Sequence, residues 1–232
     1  MTTPFTRRAA LSAGLSATLL PWASASHADL LAQACRLMPE QDLGPYHLAD
    51  GLLRGDIRDG MPGVPLELRL LVLDAETCRP LTGAAVDLWH CDAAGAYSGF
   101  GGDSHRFLRG IQLTDRDGIA QFQTIFPGCY PGRTNHIHFQ VRTAGARDGD
   151  TYRGGHVVHT GQVFFPEAIT AELMRRDPYT AQRARRMAQS EDAIFRHQNG
   201  TAAIARLTPV AVDNPDRGFE AQLVAALADG NG

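Results

Sequence analysis

The sequence predicts an all-β protein, an antiparallel β-sandwich with short helices and an N-terminal segment that wraps around it. Between residues 63 and 165, short apolar stretches are separated by turn-forming residues, and no long helical pattern interrupts them. Strands at this spacing are typical of two packed sheets. The chain has 232 residues, 44% of them hydrophobic, so it is long enough for one substantial core. We therefore expect one domain over residues 29–232.

The strands of this sandwich follow one another along the chain. The stretch LELRLLVLD puts four apolar side chains on one face: Leu66, Leu68, Leu70 and Val72. AAVDLWHCD predicts the next strand, and GIQLTDRDGIAQFQTIFPG predicts a hairpin whose turn is Asp115–Gly118. HIHFQVRT and HVVHTGQVFF predict two more strands. The Gly-rich stretch AGARDGDTYRGGHVVH is expected to form a loop over a pocket.

The remaining segments complete the expected architecture. PEAITAELMRR and TAQRARRMAQSEDAIF carry helix-forming residues and predict small helices, and TAAIARLTPVAV and FEAQLVAAL return to strand-like patterns. Residues 29–62 are rich in Pro and Gly, so we expect them to wrap around the sandwich.

The first 28 residues have the pattern of a secretory signal peptide. Arg7 and Arg8 precede a mildly apolar run that ends in small residues, and cleavage is expected after Ala25 or Ala28. The paired arginines predict the twin-arginine route to the periplasm. The run is shorter than the roughly 20 residues that span a bilayer, so no membrane contact is expected after cleavage. The net charge of −3, without a basic stripe, argues against nucleic acid as a partner.

Four cysteines follow the predicted signal peptide, at Cys35, Cys78, Cys91 and Cys129. Their spacing matches no CxxC zinc pattern. In an oxidising compartment an even number of cysteines indicates disulfides, and four allow three pairings. We expect at least one structural disulfide, with its partners left open.

Two histidines two residues apart begin the apolar strand in GCYPGRTNHIHF. On a strand, His136 and His138 project from the same face, and their roots lie roughly 6.5–7 Å apart. Two imidazoles can therefore converge on one metal ion. On its own this pattern is more often structural, a half-buried strand with imidazoles on its polar face.

Two tyrosines lie in turn-like segments near these histidines, Tyr97 in GAYSGF and Tyr130 in GCYPGR. A tyrosine with an ordinary pKa of about 10 becomes a ligand only beside a strongly charged cation. Two phenolates and two imidazoles therefore suit Fe(III) better than zinc or magnesium. The alternative is that Tyr97 packs as a turn aromatic and that Tyr130 is a turn residue before Pro131.

The sequence resembles the intradiol ring-cleavage dioxygenases, the family of protocatechuate and catechol dioxygenases, and most of all their exported single-chain relatives. The resemblance covers about residues 35–167, with matching segments in the order CRLMPEQDLGPYHL, DIRDGMPGVPLELRLLVLD, PLTGAAVDLWHCDAAGAYSGF, RGIQLTDRDGIAQFQTIFPGCYPGRTNHIHFQV and TGQVFFPE. The combination of two tyrosines, an arginine and His-x-His is much more specific than any of its parts.

The resemblance implies a site and an activity. It implies an Fe(III) ion held by four ligands: Tyr97, Tyr130, His136 and His138. Tyr130 would be the phenolate that leaves when substrate binds. Arg133 would stabilise charge on the bound ring, and Gln162 would orient the ring. The implied reaction cleaves a catechol between its two hydroxylated carbons with O2 and yields a cis,cis-muconate-type diacid. The resemblance leaves a homo-oligomer open.

Two departures from the family pattern concern the surroundings of this site. The family's GPYY or GPFY is Gly44-Pro-Tyr-His47 here, and Cys129 stands where relatives more often have Trp or another bulky residue. Both bear on substrate choice, since no predicted ligand is missing. Two other functions compete with the dioxygenase. One is a non-catalytic, transthyretin-like module that binds aromatic or polymeric ligands, and the other is a hydrolytic zinc enzyme using His136 and His138.

Overall fold

Eight β-strands form two four-stranded sheets in the part of the chain that the computed structural model describes, which is residues 35–49, 51–182 and 184–228. The strands are β1 Pro65–Asp74, β2 Ala85–Trp89, β3 Arg109–Leu113, β4 Ile119–Ile125, β5 Ile137–Asp148, β6 Thr151–Val163, β7 Arg206–Pro209 and β8 Phe219–Leu227. The first sheet has the order β4-β1-β8-β7 and the second β3-β2-β5-β6. The prediction of an all-β sandwich is confirmed.

The core lies between the inner faces of the two sheets. In β1 the alternating residues Leu66, Leu68, Leu70 and Val72 are all at most 2% exposed, as the sequence pattern predicts. The second sheet adds its own inner residues to the same cluster: Val86, Leu88, Ile137, Phe139 and Val141. Because side chains alternate along a strand, the residues between these project from the outer face of the second sheet.

One strand pair departs from antiparallel order. β1 and β8 are parallel, in register from Leu66 with Phe219 to Asp74 with Leu227. The other five strand pairs in the described residues are antiparallel. A parallel pair needs a long connection between its strands, and here most of the domain lies between β1 and β8.

The predicted hairpin at Asp115–Gly118 is wrong in its pairing. The turn itself is present, with the Gly118 N–H donating to the Asp115 carbonyl at 3.0 Å. However, β3 pairs with β2 and β4 pairs with β1, so the turn carries the chain from one sheet to the other. Turn chemistry specifies a local reversal, whereas the partner of each strand depends on which apolar face must be buried.

The Gly-rich stretch AGARDGDTYRGGHVVH, which was expected to form a loop over a pocket, forms strands instead. β5 and β6 continue through it as one long hairpin, which closes where Asp148 pairs with Thr151. Gly149 takes a positive φ of 60° in the tight turn. The pairing shifts by one residue between Val141 and Arg142, which is a β-bulge.

Short helices fill the connection from β6 to β8. The helices are α1 Glu167–Leu173 and α2 Ala193–His197, together with 3-10 turns at Tyr179–Ala181, Gly200–Ala203 and Pro215–Arg217. The first predicted helix is confirmed. In the second segment, TAQRARRMAQSEDAIF, the predicted small helices are found only at its two ends among the described residues. Here polar side chains bond to distant backbone instead, as when Gln189 donates to the Phe165 carbonyl at 2.7 Å. No described helix has the length and apolar character needed to cross a membrane.

The segment before β1 wraps around both sheets, as predicted. Met38 N–H donates to the Ala226 carbonyl in the first sheet, and Gln41 N–H donates to the Thr160 carbonyl in the second. A disulfide joins Cys35 to Cys78, which confirms the expectation of at least one, while Cys91 and Cys129 are free and buried. The predicted signal peptide at residues 1–28 lies outside the described residues.

Candidate metal centre

The candidate site lies on the outer face of the second sheet, under the N-terminal segment. Strand register aligns Trp89 of β2, His138 of β5 and Gln162 of β6 in one row. His136 stands just before β5, and its Nε2 atom lies 3.0 Å from Nε2 of His138. The expectation that the two imidazoles face the same way is therefore confirmed.

The tautomer of His136 is set by its neighbours. Nδ1 lies 2.7 Å from the Thr134 carbonyl oxygen, and since a carbonyl can only accept, Nδ1 carries the hydrogen. In the neutral ring Nε2 therefore presents its lone pair to the site. The Tyr130 hydroxyl lies 3.3 Å from this nitrogen. Adjacent ligands with bonds of about 2.0–2.1 Å at right angles are about 2.9 Å apart, close to these spacings.

Tyr97 reaches the same place from the loop between β2 and β3. Its ring centroid lies 5.5 Å from that of Tyr130, and the residue is 7% exposed. Its hydroxyl is buried and has no hydrogen-bond partner among the described residues, and the same holds for His138 Nδ1. An orphaned buried polar group costs about 1–3 kcal/mol, so the Tyr97 oxygen needs a partner of another kind. A metal ion bound among these donors would supply one.

Burial controls protonation throughout this cluster. It lowers the pKa of His136 and of His138 well below the ordinary value of 6.5, with the Arg133 charge acting in the same direction. Burial also raises the pKa of Tyr130 to about 12 and that of Tyr97 well above 10, against the lowering effect of Arg133. The imidazoles are thus held in the neutral form that binds metals, and the phenols ionise only beside a strong cation.

The Arg133 guanidinium contacts four side chains, one of which is His136, whose Nε2 lies 3.3 Å from Nη1. Nη1 lies 3.3 Å from the Tyr130 hydroxyl, Nη2 donates to Gln162 Oε1 at 2.5 Å, and Nε donates to Asp192 Oδ2 at 2.9 Å. The Gln162 amide in turn donates to the Asp42 carbonyl at 2.8 Å. All six site residues predicted from the sequence are therefore brought together.

Asp192 was missed by the sequence reasoning. Its position before the apolar residues of AIF is the signature of a helix N-cap, and that signal is visible in the sequence. Nothing local indicates its contact with Arg133, which is 59 residues away.

Aromatic rings enclose the ligand candidates. Tyr46 stacks on Tyr97 with centroids 4.3 Å apart, and Phe100 meets Tyr46 edge-on at 5.2 Å. On the other side, Trp89 stacks on His138 at 5.1 Å with an interplanar angle of 3°. These rings cover the Tyr97 phenol and the His138 imidazole, which are both buried.

The two departures from the family pattern lie beside this enclosure. His47 Nε2 is 3.0 Å from Asp87 Oδ2, and its ring meets Trp89 edge-on at 4.7 Å. The Cys129 thiol donates to Gln182 Oε1 at 3.1 Å. His90, the residue after Trp89, is fully buried and bonds to the Cys91 carbonyl and to Thr124.

The donor set of this cluster is unusual for a divalent metal. In residues 35–49, 51–182 and 184–228, no group of three or more His, Cys, Asp and Glu side chains could hold a metal ion. A metal at His136 and His138 would therefore need the phenol oxygens of Tyr97 and Tyr130 as further ligands. Such hard anionic oxygens favour a highly charged ion.

Comparison with known proteins gives the family. The family profile described as "Dioxygenase" matches residues 44–181, which include all six site residues. The intradiol ring-cleavage dioxygenase of Tetranychus urticae is 35% identical with a TM-score of 0.74, over 83% of this chain and 94% of that chain. The chain belongs to the intradiol ring-cleavage dioxygenase family, as its motifs predict. That family uses non-haem iron.

More distant relatives have named substrates. Catechol 1,2-dioxygenase 1 of Acinetobacter lwoffii is 32% identical over 130 residues, which are 45% of this chain and 42% of that protein. The protocatechuate 3,4-dioxygenase beta chain of Burkholderia cepacia is 35% identical over 141 residues, 54% of each. The chain spans about half the length of these curated relatives.

Proposed function

We propose that this protein is an Fe(III) dioxygenase that cleaves a catechol between its two hydroxylated carbons with O2, giving a cis,cis-muconate-type diacid. The proposed metal ligands are Tyr97, Tyr130, His136 and His138. One observation supports this proposal most. His136 Nε2 lies 3.3 Å from the Tyr130 hydroxyl and 3.0 Å from His138 Nε2, and the buried Tyr97 hydroxyl of the same cluster has no hydrogen-bond partner among the described residues.

The charges of the cluster match a trivalent ion. Two neutral imidazoles add no charge, and two phenols with raised pKa values lose their protons only to a strongly charged cation. A divalent zinc ion would leave one or both phenols protonated in this buried place. When bound, Fe(III) would chelate the two catechol oxygens as a Lewis acid and prepare the ring for reaction with O2.

Tyr130 is the residue that moves a proton in this proposal. Tyr130 would be one of the residues that hold the metal, and its phenolate oxygen would accept a proton from a substrate hydroxyl as the catechol enters. The pKa of about 12 that burial gives this phenol makes the phenolate a strong base. Arg133 Nη1, 3.3 Å from the same oxygen, can hold the resulting hydroxyl in place.

Arg133 and Gln162 act on the substrate ring. Arg133 is cationic at every working pH and sits 13% exposed at the site, so it can stabilise negative charge that develops on the ring. Gln162 is fully buried and bonded to both Arg133 and the Asp42 carbonyl, so its amide can orient the ring. We further propose, from the paired arginines of the signal pattern, that the folded chain is exported to the periplasm.

The proposal is tested by metal content, colour and O2 uptake together. We expect about one iron per chain, a red to brown charge-transfer band, and O2 consumption with at least one of catechol, protocatechuate, hydroxyquinol and chlorinated catechols. Tyr130→Phe should weaken the band and lower kcat by about 100-fold or more, since it removes both a ligand and a proton acceptor. Tyr152→Phe is the matched control, because the Tyr152 hydroxyl accepts from Gly145 N–H within the β5–β6 hairpin and bonds to none of the six site residues.

Other outcomes select the competing functions. A coloured iron protein that consumes no O2 with any catechol would favour the transthyretin-like binding module. A colourless protein that retains zinc would favour the hydrolytic enzyme. Full colour and full activity in Tyr130→Phe would remove Tyr130 from the proposed ligand set.

A further inference from the structure

Asp192 is a fully buried carboxylate whose two oxygens have separate tasks. Oδ1 caps helix α2 by accepting from the backbone N–H groups of Ile194 at 2.8 Å and Phe195 at 3.1 Å. Oδ2 accepts from Arg133 Nε at 2.9 Å and from Thr134 N–H at 2.8 Å. A cap needs only one oxygen, so the second oxygen is available to the site.

The contact with Arg133 sets the plane of its guanidinium. This group is a rigid planar fork, so holding Nε determines where Nη1 and Nη2 point. With Nε on Asp192, Nη2 faces Gln162 and Nη1 faces the Tyr130 hydroxyl. Without Asp192 the side chain could rotate away from that hydroxyl.

The hydrogen bond from Thr134 to Asp192 also connects Asp192 to the His136 imidazole through the Thr134 backbone. The Thr134 N–H donates to Asp192, while the Thr134 carbonyl accepts from His136 Nδ1 at 2.7 Å. The same backbone segment therefore links the carboxylate to the atom that determines the tautomer of His136. Asp192 thus fixes the loop that carries both Arg133 and His136.

We propose that Asp192 is a positioning residue of the ring-cleaving site, which holds Arg133 toward the substrate and Tyr130 through Oδ2. This inference rests on the proposed function. Asp192 touches neither the proposed metal ligands' donor atoms nor the substrate in this arrangement; it acts through Arg133 and through the Thr134 backbone.

Two substitutions separate the anchor from the helix cap. Asp192→Ser keeps an oxygen of N-cap quality but has nothing that replaces Oδ2. Asp192→Asn keeps the capping oxygen and presents an N–H group to two donors. Glu167→Gln is the matched control, since Glu167 accepts from Arg186 at 2.6 Å and from Gln189 N–H at 3.4 Å, contacts that involve none of the site residues.

The first measurement uses metal-free protein and needs no activity. Hydrogen exchange of the Arg133 Nε–H, followed by nitrogen-15 NMR, should be at least about tenfold faster in Asp192→Ser because the buried bond is lost. Glu167→Gln should leave it unchanged. Unchanged exchange in Asp192→Ser would overturn the anchoring role, even if the protein consumes no O2 with any catechol.

The second measurement is a double-mutant cycle on kcat/KM. Asp192→Ser should lower kcat/KM by about 10- to 100-fold, the scale of a misplaced catalytic group. In an Arg133→Ala background the same change should lower kcat/KM by a several-fold smaller factor, because the Arg133 contact is gone and only the contact through Thr134 remains. The proposal would be overturned if the fold-losses in kcat/KM of the two single variants simply multiplied in the double variant. It would also be overturned if Asp192→Ser had the kcat/KM of the wild type. If Asp192→Ser is unfolded at the assay temperature, Asp192→Asn takes its place in both measurements.

Discussion

Two polar side chains of the site, His136 and Gln162, have one end held by a neighbour and the other end directed into the cluster. His136 is held through Nδ1 by Thr134, and Gln162 is held through its amide nitrogen by Asp42. A side chain with a fixed second atom loses little freedom when a ligand arrives. The residues are therefore preorganised for binding.

His90 provides a prediction about pH at the scale of one residue. Its burial lowers its pKa from 6.5 to about 4, so the folded protein keeps it neutral. Between pH 4 and 6.5 the unfolded chain binds a proton that the folded chain does not, so stability falls as pH falls through this range. We expect His90 to contribute about 3 kcal/mol to this loss.

The measurement compares metal-free wild type with His90→Gln by urea unfolding at several pH values between 4 and 8. The variant is destabilised at pH 7, where it loses the bond to Thr124 or to the Cys91 carbonyl. The difference in free energy of unfolding between the wild type and His90→Gln should become smaller as the pH falls toward 4. Parallel curves over the whole range would contradict the assignment.

At the scale of elements, β5 and the residue just before it supply the imidazoles, and loops supply the phenols. The two tyrosine loops meet backbone to backbone. A Cβ on Gly95, whose φ is +89°, would lie 2.3 Å from the Cys129 carbonyl oxygen. Glycine is therefore required there for Tyr97 and Tyr130 to approach each other.

The disulfide ties the N-terminal segment, which covers the site, to the turn after β1. Cys35 and Cys78 are 43 residues apart, and closing a loop of this length stabilises by up to about 4 kcal/mol in the chain-entropy estimate. We expect Cys35→Ser/Cys78→Ser to lower the free energy of unfolding by about 2–4 kcal/mol. Urea unfolding of both proteins measures this difference.

Reducing agent provides the control for that prediction. Dithiothreitol should destabilise the wild type to the level of the double variant and should leave the double variant itself unchanged. A further loss in the double variant would assign the effect to something other than this bond.

At the scale of the whole molecule, the core and the site occupy different faces of the second sheet. Leu68, on β1 of the first sheet, is fully buried in the core between the two sheets, whereas His136 and His138 lie on the outer side of the second sheet. Leu68→Ala should therefore lower the free energy of unfolding by about 2–5 kcal/mol through the cavity that it leaves. Iron content at temperatures well below the unfolding midpoint should stay unchanged.

Val224→Ala is the matched control, because Val224 is 37% exposed on β8 of the first sheet. It should cost well under about 1 kcal/mol. Loss of iron from folded Leu68→Ala would show that the core between the two sheets is coupled to the outer face of the second sheet, against this expectation. Thermal unfolding and metal analysis of the three proteins decide the matter.

The parts of the fold that could be predicted depend on contacts close in sequence. The alternation in β1 and the two-residue spacing of His136 and His138 specify which side each residue faces, because side-chain direction follows from extended-chain geometry alone. The disulfide partner of Cys35 could not be chosen, and small helices were predicted for the segment from Thr180 to Phe195, which is helical only at its ends among the described residues. Both features depend on contacts with distant parts of the chain, and such contacts compete with local helix propensity.

The sequence by itself determined the sandwich class, the inner face of β1 and the set of metal-type donors between Tyr130 and His138. Only the tertiary structure decided that β3 and β4 lie in different sheets and that Asp192 anchors Arg133. The physical reason is the difference between interactions that are local in sequence and those that join distant parts of the chain. Local patterns fix the direction of a side chain, whereas its partner is selected by burial and hydrogen bonding summed over the whole chain.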